Sequence, residues 1–246
     1  MKYVYDGSFP GFLSVVYCAY HDGTSRVESI SPYDGNRDLF GMEAQVATDF
    51  GHAERVADAF CRKCGKDAFR WMYHAFLCDD GSEDFLFDYI VRGFRLGKRI
   101  YAYSGDPWMW NVLSRSQKTG NEAEKFRGIL RFSELAEGML YAEIRPTHHV
   151  LPLIAGHFRR RMAGEEWAIH DMGRRLAVYY DRKELILVHV ENPSGRLLFS
   201  GEEKNFRKLW RDYWSHMAIE ERKNPVLQRS FLPKKYWGFL TEMGRT

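Results

Sequence analysis

Hydrophobic positions in the first half of the chain change from a strand pattern to a helical one within the first twenty residues. Residues 3–5 alternate as in a short strand, and four side chains then recur at intervals of three or four: Phe9, Leu13, Val16 and Tyr20. From residue 52 to about residue 125 the spacing stays helical, with breaks at Gly65, 79–82 and 104–107. This half therefore predicts a strand and a helix followed by a helical subdomain.

The second half begins with a hydrophobic pattern that is typical of strands. FRGILRFSEL and GMLYAEIRP predict paired strands, HVLPLIAGHFRRRM predicts a helix, and EWAIHDMG and RRLAVYYD predict a hairpin. KELILVHV predicts a further strand, and GEEKNFRKLWRDYWSHMAIEERK predicts a long amphipathic helix that ends before Pro225. Since hairpin connections favour antiparallel pairing, we expect an α+β fold in which an antiparallel sheet packs with the long C-terminal helix.

Charge divides the chain at about the same place as this change of pattern. We predict a domain boundary between residues 1–125 and residues 126–246, and we expect the two parts to pack as one compact unit. Residues 1–125 hold 15 Lys and Arg against 18 Asp and Glu, whereas residues 126–246 hold 21 against 15. The second half thus carries a balance of +6, which favours a polyanionic partner there.

The sequence has no stretch of the roughly 18 apolar residues that a membrane helix needs. Asp6, Gly7 and Pro10 interrupt the N-terminal segment where a signal peptide keeps an apolar run. These features predict a cytoplasmic protein that makes no contact with a membrane.

Four residues in the helical region have a spacing that superficially resembles a zinc site: Cys61, Cys64, His74 and Cys78. The surrounding pattern is helical, however, and it has no knuckle glycines around the first pair, so we favour structural cysteines and predict no metal or cofactor. Ala57 also stands where the first cysteine of a C-x3-C-x2-C cluster motif would be needed. The chain is therefore not itself a radical-SAM enzyme.

Several segments resemble a bacterial family of DNA metabolism proteins whose C-terminal portion is a domain of unknown function. They are YVYDGSFPGFLSVVYCAY, KFRGILRFSEL, MLYAEIRPTHHVLPLIAGHF, WAIHDMGRRLAVYYD and IEERKNPVLQRSFLPKKYW. The resemblance covers nearly the whole chain and is strongest from about residue 85 to residue 246. It implies an association with a DNA-repair radical-SAM protein and, in some relatives, fusion to a uracil-DNA glycosylase module. Neither of those catalytic parts is found in this sequence.

The predicted last helix has an apolar and a basic stripe. We expect the apolar stripe to lie in the core: Phe206, Leu209, Trp210, Tyr213 and Met217. The other stripe is either a solvated face or a contact with a phosphate backbone, and its cations are Lys204, Lys208, Arg211 and Arg222.

His170 and Asp171 are adjacent on a predicted strand, so their side chains point to opposite faces and do not hold one metal ion together. One of them could still face a cleft with Arg174 and Arg175 of the hairpin, where a phosphate or a catalytic acid would lie. We favour the alternative, a structural pair between an aspartate and an arginine.

The segment after the last helix combines acids, cations and aromatic rings. Glu220 and Glu221 lie at the unfavourable end of the helix dipole, so they are either solvated or bridged by a cation such as Arg222, Arg229 or an arginine of the sheet. In a nucleic-acid interface, amides would read base edges, cations would contact phosphates, and rings would stack on bases: Asn224, Gln228, Arg229, Lys234, Lys235, Tyr236 and Trp237. The alternative is that the same network serves only to clamp the fold.

Three hypotheses for the function follow. The first is an accessory factor in DNA repair that binds DNA and acts with a radical-SAM partner. The second is an enzyme on DNA ends or modified bases, with His170, Asp171, Glu220 and Glu221 as acid-base groups. The third is a protein-interaction scaffold that does not contact DNA. The sequence leaves the oligomeric state open.

Overall fold

The computed structural model describes residues 1–21, 27–33, 43–80, 83–190, 199–217, 228–229, 232–241 and 243. The chain divides into two compact units, residues 1–120 and 121–246, each with its own hydrophobic core. The division falls inside a long helix, Pro107–Ile129, and the boundary predicted after residue 125 lies in the same helix. Within the described ranges, no helix has the length and apolar content to cross a membrane.

The first unit combines a small parallel sheet with several helices. The sheet has the strand order β2-β1-β3, and both outer strands run parallel to β1. The elements are β1 (Lys2–Tyr5), α1 (Phe9–His21), β2 (Ser29–Pro32), β3 (Glu43–Gln45), α2 (Phe50–Cys64), α3 (Lys66–Phe76), α4 (Asp84–Leu96), a 3₁₀ helix (Gly97–Tyr103) and α5 (Pro107–Ile129), which continues into the second unit.

Local sequence sets the bounds of the helices in this unit. Asp49 caps α2, because its Oδ1 accepts a hydrogen bond from the backbone N of His52 at 2.8 Å. Gly65 has φ +98°, a conformation that favours glycine, and it separates α2 from α3. The predicted strand, first helix and helical subdomain are present, whereas the sequence analysis did not identify β2 and β3.

The second unit contains a five-stranded mixed sheet with the order β4-β5-β6-β7-β8. Its elements are β4 (Ser133–Glu134), β5 (Leu140–Ile144), α6 (Leu151–Arg161), β6 (Trp167–Asp171), β7 (Leu176–Tyr180), β8 (Leu185–His189), α7 (Gly201–Met217) and a C-terminal 3₁₀ helix (Lys234–Phe239). The predicted α+β class, the hairpin β6–β7 and the helix at α6 are confirmed.

Two details of the predicted sheet are wrong. It is not purely antiparallel, because α6 carries the chain from the end of β5 back to the start of β6, and the two strands pair in parallel. The residues from 126 to 129 belong to helix α5 and not to a strand. The buried side chains of Ala123 and Phe126 lie one helical turn apart in the core, which favours continuation of the helix.

One face of the sheet forms the core of this unit. Ile144, Trp167 and Ile169 are buried against Ile154 and Phe158 of α6. Alternate residues of β6 point to opposite faces, so Asp171 lies on the core face while His170 lies on the other. The end of β6 and the loop after β5 meet at one edge of the sheet because the two strands are parallel.

Candidate nucleic-acid interface

An ion pair joins the turn after β6 to the loop after β5. The carboxylate of Asp171 is fully buried, and its Oδ2 accepts a hydrogen bond from Nη1 of Arg174 at 2.9 Å. Its Oδ1 accepts hydrogen bonds from the backbone N of Gly173 and of Arg174 at 3.0 and 3.2 Å. Arg174 also donates to the carbonyl oxygens of Pro146 and Thr147, at 3.4 and 2.7 Å. The arginine thus has a structural role that fixes both segments.

Glu122 of α5 is a second buried carboxylate beside the same loop, with its side chain 7% exposed. Its Oε1 accepts hydrogen bonds from the hydroxyl of Tyr236 at 2.5 Å, the backbone N of Thr147 at 3.0 Å and Nζ of Lys235 at 3.3 Å. Its Oε2 accepts from the backbone N of His148 at 2.7 Å. Lys235 also donates to the hydroxyl of Thr147. Glu122 therefore joins α5, the loop after β5 and the C-terminal 3₁₀ helix.

The bonds to Glu122 control its ionisation. Burial alone would raise the pKa of this carboxyl, but the hydrogen bonds from Tyr236, Thr147 and His148 and the charge of Lys235 outweigh burial and lower the pKa to about 2. Glu122 is consequently ionised at neutral pH and holds its four donors. Burial and the bond to Glu122 also raise the pKa of Tyr236, so its hydroxyl stays protonated and acts as a donor.

Five cations lie in the loop after β5, bond to it, or are next in the chain to a residue that does, and we call this set the basic edge: Arg145, Arg174, Arg175, Lys234 and Lys235. Arg174 and Lys235 bond to Thr147 of the loop. A Cβ at Gly173 would lie 3.9 Å from Cγ of Arg145, which places Arg145 beside the turn after β6. Arg145, Arg175, Lys234 and Lys235 are exposed, while the side chain of Arg174 is 18% exposed.

The basic edge presents positive charge because its carboxylates lie inside the protein. Among the described residues, the carboxylates that bond to its cations are those of Glu122 and Asp171, and both are at most 7% exposed. Counted over these seven described residues alone, the two carboxylates offset two of the five positive charges and leave a formal balance of +3. Arg175 has φ +55°, an uncommon conformation for a residue other than glycine, and it extends this exposed charge into the turn.

His170 lies on the opposite face of the sheet from Asp171. The residue is 2% exposed, and its Nδ1 is 2.7 Å from the hydroxyl of Tyr141 on β5. Burial lowers the pKa of His170, although the nearby carboxylates of Glu143 and Asp171 act in the other direction. Burial and the charge of Glu143 raise the pKa of Tyr141 to about 12. The ring is therefore neutral at pH 7 and is bonded to a protonated phenol.

The proposed acid-base residues do not face a common cleft among the described residues. His170 and Asp171 are both buried and point to opposite faces of the sheet, so neither faces a cleft beside Arg174 and Arg175. Glu220 and Glu221 lie outside the described residues, as do Arg222 and Asn224.

The C-terminal segment differs from the predicted stacking surface. Tyr236 is 2% exposed and packs edge-on to Phe126 at 5.1 Å between ring centroids, so the hypothesis that it stacks on a base is wrong. Trp237 is half-buried, and its Nε1 donates to the carbonyl oxygen of Leu232 at 2.9 Å. Gln228 is also half-buried, with Nε2 4.0 Å from Sδ of Met243. Arg229 is exposed.

The structure describes the side chains of two of the four cations of the basic stripe, Lys208 and Arg211. Lys208 is exposed, but Arg211 is half-buried and its Nε donates to the carbonyl oxygen of Arg207 at 3.2 Å. The side chain of Lys204 lies outside the described part of the structure. We therefore place the candidate interface at the basic edge, to which α7 contributes no residue.

The apolar stripe of α7 is not in the core, contrary to the prediction. Phe206, Leu209 and Tyr213 are 69%, 65% and 54% exposed. Trp210 is half-buried and packs on Tyr213 with ring centroids 5.9 Å apart, and the side chain of Met217 is outside the described residues. Amphipathic spacing identified the helix but not the element that its apolar side would contact.

Cys61, Cys64 and Cys78 are helix and loop residues with protonated thiols. Cys64 is buried, and its Sγ donates to the carbonyl oxygen of Gly93 at 3.2 Å. Burial raises the pKa of Cys64 and of Cys78 to about 11 and also raises the pKa of Cys61. In the described parts of the chain, no group of three or more His, Cys, Asp and Glu side chains is placed to hold a metal ion.

Sequence analysis missed two residues of this region. Glu122 is separated from Thr147 by 25 residues and from Tyr236 by 114, so no local motif connects them. One signal was available in the sequence: Glu122 precedes the apolar Phe126 by four residues, so the two side chains lie on the same face of a helix. Arg145 lacked a distinguishing signal because it is a single arginine at the end of a strand.

Comparison with known proteins identifies one family. The family model for a domain of unknown function, DUF4130, matches residues 80–242, which is more than half of the chain. No curated protein and no solved structure matches the chain. The matched range includes the whole basic edge and the two carboxylates beneath it.

Proposed function

The chain belongs to the DUF4130 family, and from that premise and the geometry of its second unit we propose that it binds nucleic acid through the basic edge. Phosphate groups would contact Arg145, Arg175 and Lys234, which are exposed. The proposal extends to a role as an accessory factor in DNA metabolism. The observation that carries it is the separation of charge, with cations on the surface and their carboxylates buried.

The rigidity of the basic edge supports this proposal. Arg174 and Lys235 are anchored by buried carboxylates, so the loop after β5 and the turn after β6 keep their positions when an anion approaches. On such a surface, binding costs little side-chain entropy, because these side chains are already ordered. The exposed side chains of Arg145 and Arg175 then supply the charge that contacts the phosphates.

The expected affinity is modest and depends strongly on salt. With a surplus of three positive charges, about three phosphate contacts would give a slope of log K against log salt of about −2 to −3. The contacts carry no information about base sequence, and we therefore expect single-stranded and double-stranded oligonucleotides of different sequence to bind with similar affinity.

A pair of matched arginine variants tests the proposal. Arg175 and Arg182 are both exposed turn residues with positive φ, 55° and 74°, but they lie at opposite ends of β7. Asparagine tolerates positive φ, so Arg175→Asn and Arg182→Asn each remove one charge without adding backbone strain. We expect Arg175→Asn to weaken oligonucleotide binding about fivefold and to reduce the salt slope by about 1.

Fluorescence anisotropy with a labelled oligonucleotide measures both quantities. Arg182→Asn is expected to bind like the original chain. Equal losses in the two variants would indicate non-specific attraction to net charge, and the proposal for the basic edge would be abandoned. Absence of binding by the original chain at low salt would contradict the nucleic-acid role altogether.

We further propose that the protein acts with a radical-SAM partner, as the family resemblance implies. The test is co-purification of that partner with the chain from extracts of cells that contain both, with and without nuclease treatment. Association that survives nuclease would support a direct protein contact. Loss of association after nuclease would show that nucleic acid bridges the two proteins.

A further inference from the structure

Polar contacts to β4 fix the orientation of helix α7. The hydroxyl of Ser200, just before the helix, donates to Oε2 of Glu134 at 2.9 Å and accepts from the backbone N of Glu203 at 3.1 Å. Arg207 donates from Nε to Glu203 at 2.7 Å and from Nη2 to the hydroxyl of Ser133 at 2.5 Å. Glu203 and Arg207 thus hold the first half of α7 against β4 through polar contacts, and Trp210 on the same side of the helix is half-buried.

An adjoining side of α7, roughly a quarter turn around the helix, exposes three large apolar residues in a row. Phe206, Leu209 and Tyr213 are spaced by three and four residues, and more than half of each is exposed. A row of this kind on two successive turns is typical of a helix that packs on another helix. A contiguous exposed apolar patch also marks sites of protein association.

Charges at the two ends of this row indicate what covers it. Glu202 and His216 continue the same spacing, and each lies seven residues, about two helical turns, from Leu209. Both are exposed, and Nδ1 of His216 is 2.6 Å from the carbonyl oxygen of Asp212, so its Nε2 remains for another contact. We call these five residues the seam: Glu202, Phe206, Leu209, Tyr213 and His216.

The seam complements itself when two copies run antiparallel. A two-fold axis through Leu209 places Glu202 against the partner's His216 at both ends, with the apolar residues between them. A parallel pair would instead place Glu202 beside the partner's Glu202, and like charges repel. Antiparallel pairing also brings the positive end of each helix dipole near the negative end of the other.

We propose that α7 is a self-association surface, on which a second copy of this chain docks its own α7 antiparallel through the seam. The interface is isologous, because the same residues contribute from both copies. One pair of helices forms a small interface, so the dimer forms at high protein concentration and dissociates on dilution. This inference does not rest on nucleic-acid binding, since α7 contributes no residue to the basic edge.

Two leucine variants locate the interface. Leu209 on the seam and Leu187 on edge strand β8 are 65% and 58% exposed, so Leu209→Lys and Leu187→Lys make the same change at similarly exposed positions. Sedimentation of the full chain over a concentration series, without nucleic acid, should show a dimer at the highest concentrations. We expect Leu209→Lys to raise the dissociation constant at least about tenfold and Leu187→Lys to leave it unchanged.

A charge exchange tests the antiparallel arrangement, and circular dichroism confirms that each variant is folded. Glu202→Lys and His216→Glu should each weaken the dimer, because neither leaves opposite charges facing each other at the ends of the seam, and the double variant should restore it. A monomer at every concentration would overturn the proposal, as would a dimer that Leu187→Lys dissociates and Leu209→Lys does not. Failure of the double variant to recover would overturn the antiparallel seam.

Discussion

Replacing Glu122 with glutamine should destabilise the fold of the second unit. All four groups that contact this carboxylate are donors: the hydroxyl of Tyr236, Nζ of Lys235 and the backbone N of Thr147 and His148. Glutamine offers one acceptor oxygen, and its amide nitrogen would face one of those donors. That donor loses its acceptor, so at least one hydrogen bond to residue 122 is lost.

The lowered pKa of Glu122 sets the magnitude. A shift from the ordinary value of 4.5 to about 2 corresponds to about 3 kcal/mol of preference for the ionised form in the folded protein. Because glutamine resembles the neutral form, Glu122→Gln should lower the free energy of unfolding by about 3 kcal/mol at pH 7. The stabilisation is complete above about pH 4.5 and is lost as the pH falls towards 2, where the carboxyl becomes protonated in the folded state as well.

Urea denaturation followed by circular dichroism at several pH values measures this difference. The matched control is Glu124→Gln on the same helix. Glu124 is 69% exposed and forms an ion pair with Arg127 of the next turn, so we expect a change below about 1 kcal/mol. Equal effects of the two variants at pH 7 would refute the role of Glu122. A deficit in Glu122→Gln that stayed constant down to pH 2 would refute its electrostatic origin.

Two further predictions concern the same region and the thiols. Tyr236→Phe removes one donor to Glu122, so we expect urea denaturation to show a free energy of unfolding lower by about 1 to 2 kcal/mol. The variant keeps the aromatic ring that packs on Phe126, so the loss reports the hydroxyl alone. Cys64 and Cys78 are buried with pKa values of about 11, so at pH 7 a thiol reagent should modify them only on unfolding. Rapid modification of either thiol in the folded protein, detected by mass spectrometry, would contradict this burial.

Local patterns in the sequence predicted the elements of the second unit better than their pairing. The hairpin β6–β7 follows from the alternation and turn residues of one short segment, and α6 follows from apolar spacing within 11 residues. The parallel pairing of β5 with β6 depends on where α6 returns the chain, which no pattern within either strand specifies.

The candidate site was partly predictable for the same reason. Arg174, Arg175, Lys234 and Lys235 were identified as cations in turns and loops, where charged residues stay at the surface. Their grouping depends on contacts that are distant in sequence, such as the bond from Lys235 to Thr147, 88 residues away. The sequence analysis also predicted that Tyr236 is exposed and stacks on a base, whereas the residue is buried. An aromatic residue among cations gives the same sequence pattern in both cases.

The most direct test of the nucleic-acid proposal is a map of backbone amide chemical shifts during titration with a short single-stranded oligonucleotide. We expect the largest changes at 145–148, 173–175 and 234–235, which form the basic edge and the loop after β5. Changes concentrated instead at the end of α6 and the turn after β7, where Arg159 and Arg182 lie, would contradict the assignment of binding to the basic edge.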